Sequence, residues 1–503
     1  MQFVVTSLIV TFSLITVTCY GQVDVNISDF GAKGDGTTIN TAYIQEAIDH
    51  AHENNGGRVV VPKGNFLTGS IILKDGVELF ISKNATILGS TRLEDYKFVS
   101  NTLATYHWKA LILADSAANI RITGKGVING QGKSLALKLD SLFYAGQLDS
   151  SLYQLKERRP VGHIRPMIIQ FVNCRQISIQ DVTIKNAASW VQSYDLCQNL
   201  SIDNIRVESV DYWNNDGIDI IDCKNVRITN SFINSSDDGI CLKSYRRRDG
   251  IPVFCENIYI ANCTVRSSAS AVKLGTSSYG GFKNITIEKI KVFDTYRSAI
   301  AIESWESGVI EDILIQDIVA KNTGNALFIK LSQRDIYKNR PAGVIRNVLI
   351  RNIKASIPFT QPDYFYTLRG PTLPFFHNTF PASITGMPSQ KIENVVLENI
   401  KISYPGRGNK SYANMPTDRI DEIPEMLNEY PEFSMFGELP AWGLYVRHVD
   451  GLVMNNIHLK IRKPDYRPCL VFDDTKGLKL NDIKIRGVQK VKGIFLHDSE
   501  QIP

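Results

Sequence analysis

The most regular feature of the chain is a short alternation of apolar and polar residues that recurs along most of its length. In residues 175–184, Ile and Val alternate with Ser, Gln and Thr. A period of two places the apolar side chains on one face of a β-strand and the polar side chains on the other. Further copies begin at Gln198, Lys224, Glu256, Lys283, Glu311, Arg346, Glu393, Gly451 and Gly477.

The spacing between copies indicates how the strands are arranged. The closest copies lie about 23–28 residues apart, within the range of stacked repeat architectures. The alternation excludes a helical solenoid, and leucine-rich repeats would need a different leucine spacing with helical returns. We therefore predict an all-β fold, a single-domain right-handed parallel β-helix over residues 22–503.

The stretch that precedes the strands has a helical pattern. Asn40 can cap a helix whose apolar face is Ile44, Ala47, Ile48 and Ala51, and Asn55-Gly56-Gly57 would end it. An N-terminal helix would cover strand edges and apolar interior that the first coil otherwise exposes. We expect it to cap the β-helix.

Three long insertions interrupt the repeat, at about 133–165, 355–390 and 405–445. Loops added to a repeat usually emerge on one face and carry recognition. Tyr364-Phe365-Tyr366 and Phe375-Phe376-His377 could stack on sugar rings or pack beneath a loop, and the pattern leaves both readings open. The stretch from Pro424 to Tyr445 has the composition of an ordered flap rather than a linker.

Two acidic turns carry the candidate chemistry. Asn215-Asp216-Gly217 and Asp237-Asp238-Gly239 flank one copy of the repeat, so they would lie one coil apart on the same side. Stacked strands are about 4.8 Å apart, which would bring the three aspartates into one cluster. Close carboxylates cannot all ionise freely, so a proton donor would stand beside proton acceptors. A proton donor beside proton acceptors is the arrangement that cleavage of a glycosidic bond requires.

The net charge and the cysteine content limit the classes of ligand and cofactor that this protein is expected to bind. The formal net charge of +5 is small for 503 residues; it does not indicate nucleic acid and would suit an anionic polysaccharide. Seven cysteines follow residue 21, an odd number that argues against a complete disulfide framework. Four of them open similar patterns and are expected to be small buried residues in successive coils, namely Cys174, Cys197, Cys223 and Cys255. No zinc-type spacing is present, and we expect neither a metal nor another cofactor.

Residues 1–21 have the pattern of a signal peptide, with an apolar run and a cut ahead of Gln22. The run lacks the usual Lys or Arg near its start, and Cys19 allows a lipid-anchor alternative. No later segment is long and apolar enough to span a bilayer. We expect a secreted or periplasmic protein.

Several ordered motifs carry a resemblance to a known family. They are Asp29-Phe30-Gly31-Ala32, Leu67-Thr68-Gly69-Ser70-Ile71, Ile128-Asn129-Gly130-Gln131-Gly132, Asn215-Asp216-Gly217-Ile218-Asp219, Asp237-Asp238-Gly239-Ile240-Cys241-Leu242-Lys243, Glu429-Tyr430-Pro431-Glu432 and Met435-Phe436-Gly437. In this set the chain resembles the polygalacturonases of glycoside hydrolase family 28, bacterial members in particular. The resemblance implies that Asp237 is the general acid and that Asp216 and Asp238 activate water for inverting attack. It also marks Asn215, within the same motif, as a substrate-binding candidate.

The chain departs from the family pattern at two places. Ser270 stands where the family has a histidine that supports the catalytic acids. Ala301-Ile302-Glu303 stands where the family has Arg-Ile-Lys, which grips a galacturonate carboxylate. An anion at that place would repel a uronate, so activity on unmodified polygalacturonate is in question.

Other residues could compensate for the lost cations. Lys273 and Arg297 are the first candidates for binding substrate, followed by Lys330 and Arg334. Glu303 could instead hydrogen-bond sugar hydroxyls, as could Ser270. This favours a mixed or neutral sugar at one subsite, such as a rhamnogalacturonan fragment.

Three function classes remain open on sequence. The first is a monomeric glycosidase that acts on pectic chains, possibly at a chain end closed by the insertions. The second is a polysaccharide lyase, which would want a calcium cluster and a basic residue near the C5 proton. The third is a carbohydrate-binding rod or adhesin, for which three close aspartates would be an unexplained electrostatic cost.

Overall fold

The computed structural model describes residues 23–362, 375–411, 414–487 and 493–502. They form the predicted right-handed parallel β-helix, in which each strand pairs with the equivalent strand of the next coil. The predicted signal peptide and Tyr364-Phe365-Tyr366 lie outside the described residues.

The coils present three faces. Face 1 contains the short strands Asp24–Asn26, Gly57–Val61, Val77–Ile81, Ala118–Thr123, Arg175–Gln180, Gln198–Asp203, Lys224–Thr229, Phe254–Ala261 and Gly281–Glu288. Face 2 contains Asp35–Ile39, Gly64–Thr68, Ala85–Gly89, Val127–Asn129, Thr183–Lys185, Arg206–Ser209, Phe232–Ser235 and Thr264–Ser267. Face 3 contains Ile71–Leu73, Lys109–Asp115, Met167–Val172, Gln192–Asp195, Ile218–Ile221, Ile240–Ser244, Val272–Ser278, Ala382–Thr385, Leu470–Lys476 and Ile494–His497.

Toward the C-terminus the strands lengthen and bend from one face to another. These strands are Lys291–Ser304, Val309–Leu331, Val344–Ser356, Ile392–Tyr404, Leu444–Ile461 and Lys479–Arg486. The short strands Lys97–Phe98, Tyr153–Gln154 and Arg159–Pro160 make antiparallel pairs outside the coils.

The interior follows the alternation read from the sequence. One buried column on face 1 stacks Ile179, Ile202, Ile228, Ile260 and Ile287 in register, each inaccessible to solvent. Each such side chain contributes roughly 1.5–3 kcal/mol when it is removed from water. The repeat therefore sets both the register and the core.

Asparagines recur in the first half of four of these strands. Asn199, Asn225, Asn257 and Asn284 all have a left-handed backbone, with φ between 54° and 58°. Their side-chain amides form a ladder, in which each Nδ2 donates to the Oδ1 one coil back at 2.7–3.0 Å. Asparagine tolerates this backbone conformation better than other residues with a side chain, which explains its recurrence in the repeat.

The four cysteines occupy equivalent interior positions, as predicted. Cys174, Cys197, Cys223 and Cys255 are buried free thiols, and the residues that follow them pair in register. They fill space where coils turn, as small hydrophobic residues do.

The N-terminal cap is helix α1, Thr41–Glu53, and the four residues predicted for its apolar face are buried. Asn40 precedes the helix but does not cap it with its side chain. Its amide instead bonds the backbone of Lys33, Thr38 and Leu67, which ties the turn before the helix to the next coil. The prediction that the Asn40 side chain caps the helix was wrong, because its amide bonds these backbone groups instead of the first turn of the helix.

The insertions add structure outside the coils. The first contains helix α2, Gly132–Tyr144. The short 3-10 helices are Ile27–Phe30, Leu93–Asp95, Ser150–Leu152, Gly162–Ile164, Asp335–Tyr337 and Thr417–Glu422. Phe375 packs in a buried aromatic cluster with Phe380 at 4.9 Å, while 74% of Phe376 is exposed. Within the described ranges, no helix combines the length and apolar character needed to cross a bilayer.

Candidate active site

The candidate site lies at the turns that lead into the face 3 strands of successive coils. The amide of Gly217 donates to the carbonyl of Asp238, and the amide of Gly239 donates to the carbonyl of Ser270, both at 2.9 Å. A Cβ atom at Gly217 would lie 2.5 Å from the carbonyl oxygen of Gly239. Glycine is therefore required for the turns to stack, and Asp216, Asp238 and Ser270 become equivalent positions in three adjacent coils.

The stacking brings the three predicted aspartates together. One carboxylate oxygen from each of Asp216, Asp237 and Asp238 lies within 4.8 Å of the others. Asp216 and Asp238 are buried, and Asp237 is partly exposed between them. The cluster is thus accessible mainly at Asp237.

The three carboxyls have different affinities for a proton. Burial and the neighbouring Asp238 raise the pKa of Asp237 above its usual value. Burial and the charges of Asp219 and Asp237 raise the pKa of Asp216 well above its usual value. Burial also opposes ionisation of Asp238, but Lys273, Lys243 and the backbone amide of Ser270 outweigh it, so the pKa of Asp238 falls. Asp238 is therefore the favoured anion of the cluster, beside two carboxyls that retain protons more readily.

Lys243 neutralises one side of this cluster. Its ammonium contacts Asp219 and lies 3.3 Å from Asp216 Oδ2, and it sits 4.7 Å from the ring centre of Trp190. Asp219 is fully buried, and burial raises its pKa to about 6 although Lys243 opposes the shift. Asp219 thus supports Asp216 through a shared lysine.

Lys273 neutralises the other side. Its Nζ lies 3.2 Å from Asp238 Oδ2, 3.5 Å from Glu303 Oε2 and 2.8 Å from the hydroxyl of Tyr430. An ammonium has three donors, and three partners from this chain surround it. The structure therefore brings Lys273 to the site but engages it within the protein.

Glu303 occupies the place where the family has a cation. Only 2% of the residue is exposed, and burial raises its pKa to about 7 although Lys273 opposes the shift. Thr276 donates to Glu303 Oε2 at 3.0 Å. Glu303 is thus held by the protein, close to Lys273 and away from bulk solvent.

Arg297 is also paired before any substrate arrives. Its Nε lies 3.1 Å from Glu432 Oε2. Glu432 belongs to the predicted flap, for which we use the bounds 414–443 from here on because a strand begins at Leu444. Of the two secondary candidates, Lys330 is buried and donates to the carbonyl of Glu425 at 2.9 Å, and Arg334 pairs with Glu306. The cations near the site are therefore matched with acceptors of this chain.

Asn215 does not lie where a sugar could bind it. It is fully buried, its Nδ2 donates to the carbonyls of Ala187 and Ser189, and its Oδ1 accepts from Ser209. These bonds hold the turn that carries Asp216. We therefore assign Asn215 to the support of the turn and leave it out of the substrate site. Ser270 reaches the cluster through its backbone amide, which donates to Asp238 Oδ1 at 3.1 Å.

Sequence reasoning did not identify three further residues at the site. Asn214 donates to Asp237 Oδ2 at 3.3 Å. Tyr430 and Glu432 of the flap reach Lys273 and Arg297. The two flap residues lie within a motif that supported the family resemblance, but a motif alone could not show which distant side chains they contact.

Comparisons with known proteins agree with this architecture. The family model described as Glycosyl hydrolases family 28 matches residues 53–366. A probable polygalacturonase from Vitis vinifera is 25% identical over 419 residues, covering 76% of this chain and 75% of the relative. An exo-poly-alpha-D-galacturonosidase from Dickeya chrysanthemi is 26% identical over 422 residues, covering 75% of this chain and 67% of the relative. A solved hyperthermoactive exopolygalacturonase from Thermotoga maritima has a TM-score of 0.64 at 24% identity, covering 87% of this chain and 91% of that chain.

Proposed function

Because this chain belongs to glycosyl hydrolases family 28 and is a glycoside hydrolase of the pectin-degrading kind, we propose that Asp216, Asp237 and Asp238 carry its chemistry. Asp237 donates its proton to the leaving oxygen as the bond from that oxygen to the anomeric carbon breaks. A water held by Asp216 and Asp238 forms the new bond to that carbon, and Asp238 takes the proton that the water loses.

The single observation that carries these roles is that the three carboxyls meet in one cluster in which Lys273 Nζ lies 3.2 Å from Asp238 Oδ2. A general acid must hold a proton and its partner must be free to accept one. The raised pKa of Asp237 and the lowered pKa of Asp238 meet both needs within 4.8 Å. Asp237 is also the most accessible of the three, as a group that must touch the substrate oxygen should be.

Inversion of configuration rests on the family resemblance and not on the carboxylate spacing. Inverting enzymes usually separate the two carboxyl groups by about 6.5–9.5 Å and retaining enzymes by about 5–5.5 Å. The oxygen separations of 4.8 Å or less do not match the wider class. Proton NMR of the first-formed product decides the matter, because an inverting enzyme releases the β-anomer from an α-linked substrate.

The substrate that fits best is a pectic chain of galacturonan or rhamnogalacturonan type with an uncharged sugar at the subsite near Lys273, Glu303 and Arg297. Lys273 and Arg297 are already paired with carboxylates of this chain, so neither offers a uronate an uncompensated charge. The flap contacts both cations and covers the coils that follow Asp238, which supports action at a chain end.

A panel of defined pectic oligosaccharides tests this proposal. We expect reducing ends to appear from a galacturonide linked to a neutral sugar faster than from digalacturonate. Release of one terminal unit at a time would support action at a chain end. No release from any pectic substrate would overturn the proposed function. Products that absorb as unsaturated uronides would instead identify a lyase.

We also propose that the enzyme acts outside the cytoplasm, because residues 1–21 have the pattern of a signal peptide. N-terminal sequencing of the exported protein should begin at Gln22. Retention of a lipid on Cys19 would contradict that cleavage site.

A further inference from the structure

The ammonium of Lys273 is the point where the flap meets the aspartate cluster. Lys273 is 2% exposed and belongs to the face 3 strand Val272–Ser278. Its in-register neighbours are Cys241 on the preceding coil and Ala301 on the next. Both are small, so the long side chain has room to reach Asp238 on one side and Glu303 on the other. Ala301, which looks like the loss of a family arginine, therefore makes space for a different cation.

The partners of Lys273 come from three separate parts of the chain. Asp238 lies in the turn that opens the preceding face 3 strand, Glu303 lies on the following strand, and Tyr430 lies 157 residues away in the flap. A buried lysine with one carboxylate would be held in one direction only. Three acceptors fix the ammonium in position, and its charge then acts on Asp238 at 3.2 Å through a region of low dielectric.

We propose that Lys273 is a positioning residue that holds Asp238 ionised for its reaction with water, and that Tyr430 and Glu303 hold Lys273 in place for that task. Ser270 occupies the position at which the family has its supporting histidine, and its backbone amide supplies one hydrogen bond to Asp238. Lys273 supplies the positive charge from one strand further along. This inference rests on the proposed roles of the aspartates and assigns Lys273 to the catalytic anion rather than to a substrate carboxylate.

The charged and titratable surroundings are consistent with this assignment. Asp238, Glu303, Tyr430 and Cys241 face Lys273. Asp238 also faces Lys243 and Arg297, which act in the same direction as Lys273. The carboxyls of Asp216, Asp219, Asp237 and Glu303 act against these cations. Removing Lys273 leaves two cations to hold Asp238, so the pKa of Asp238 should rise without returning to that of an isolated buried carboxyl.

The pH dependence of kcat/KM tests the inference in the full-length mature enzyme. For Lys273→Met we expect the acid limb to move to higher pH, since Asp238 then binds its proton more tightly, and kcat to fall by about 10²-fold or more with a smaller change in KM. Tyr430→Phe should move the acid limb in the same direction by a smaller amount, because the ammonium keeps its carboxylate partners but loses one anchor. Lys273→Arg should recover part of the lost rate, because it restores a cation.

The exposed lysine variant Lys291→Met is the matched control and should leave the profile unchanged. Thermal unfolding of each variant shows whether it is folded, and Tyr430→Phe serves if Lys273→Met does not fold. A rate that falls equally at every pH, with an unmoved acid limb in the folded variants, would reduce Lys273 to a structural role and overturn the inference. Inactivity of the unmodified enzyme on every pectic substrate would instead count against the proposed function.

Discussion

Glu432 Oε2 lies 3.1 Å from Arg297 Nε, so a flap residue forms an ion pair with a cation beside the aspartate cluster. Arg297 is 8% exposed, and burial opposes its charge while Glu432, Tyr430, Asp237 and Asp238 favour it. A sugar that approaches this place therefore meets a neutral ion pair rather than a single positive charge. A uronate that sought Arg297 would have to displace Glu432.

Removing that carboxylate should change which sugar is accepted. In Glu432→Gln the guanidinium loses one charged partner, so its positive charge is less fully compensated and attracts a uronate more strongly. We expect KM for digalacturonate to fall by about tenfold, the equivalent of roughly 1.4 kcal/mol, with little change for a galacturonide linked to a neutral sugar. Steady-state kinetics on the two substrates measure the difference.

Glu429→Gln is the matched control for this change, since Glu429 is an exposed glutamate of the same flap. Its KM values should equal those of the unmodified enzyme. An unchanged KM for digalacturonate in Glu432→Gln would show that the pair does not set the charge of the subsite.

The role of Asp237 can be separated from binding. Asp237→Asn keeps the shape of the side chain but cannot donate a carboxylic proton. We expect kcat to fall by about 10²–10⁴-fold, while calorimetry shows that the oligosaccharide still binds. Asp418→Asn changes an exposed aspartate of the flap and should retain full activity. Substantial hydrolysis by Asp237→Asn would remove Asp237 from the role of general acid.

The ion pair between Lys243 and Asp219 should contribute to the free energy of unfolding. Asp219 is fully buried, and Lys243 is its ion-pair partner. Removing one member of a buried pair usually costs about 3–5 kcal/mol because the other charge is left unpaired. We expect the free energy of unfolding of Lys243→Met to fall by about that amount in urea titration.

The double variant Lys243→Met, Asp219→Asn should recover part of this loss, since Asp219 then carries no unpaired charge and only Asp216 has lost its cation. A double variant that is less stable than Lys243→Met would show that packing of the lysine stem, and not the charge on Asp219, dominates.

Glu303 should make stability depend on pH in a defined direction. Its folded pKa is about 7, above the usual value of 4.5. The folded protein thus binds this proton more tightly than the unfolded chain, so its contribution is complete below about pH 4.5 and is lost as the pH rises through 7. Glu303→Gln should remove a decline of at most about 3 kcal/mol across that window. Denaturant unfolding at several pH values measures it, and parallel curves for the two proteins would contradict the assignment.

The asparagine ladder can be tested at Asn257. Asn257→Ala loses the amide bonds to both neighbouring coils and places a side chain that disfavours the left-handed backbone at a φ of 58°. We expect a loss of about 1–2 kcal/mol. Asn257→Gly loses the same bonds without that strain, so it should be the more stable variant in urea titration. Equal stabilities would show that the left-handed backbone carries no cost here.

The strands and the aspartate cluster could be predicted because both depend on local spacing. The alternation in residues 175–184 sets the strand, and the two Asp-Gly turns one coil apart set the cluster. The partners of Lys273 and Arg297 could not be predicted, because Tyr430 and Glu432 arrive from a flap more than 130 residues away whose path no periodicity fixes. The prediction that Asn215 binds substrate was wrong for a related reason. A polar residue beside Asp216 can bind a ligand or stabilise the turn, and only its hydrogen bonds show that Asn215 stabilises the turn.

The stacked cysteines have a consequence for how this enzyme responds to oxidants. Cys197 and its neighbours are buried, and burial raises the pKa of the Cys197 thiol well above its usual value. Because oxidants and disulfides react with thiolates, the native protein would withstand an oxidising medium for as long as its coils stay wound. Once a molecule opens, its unpaired sulfurs could cross-link to those of another chain. Heat would then inactivate the enzyme permanently in air, yet reversibly in the presence of a reductant.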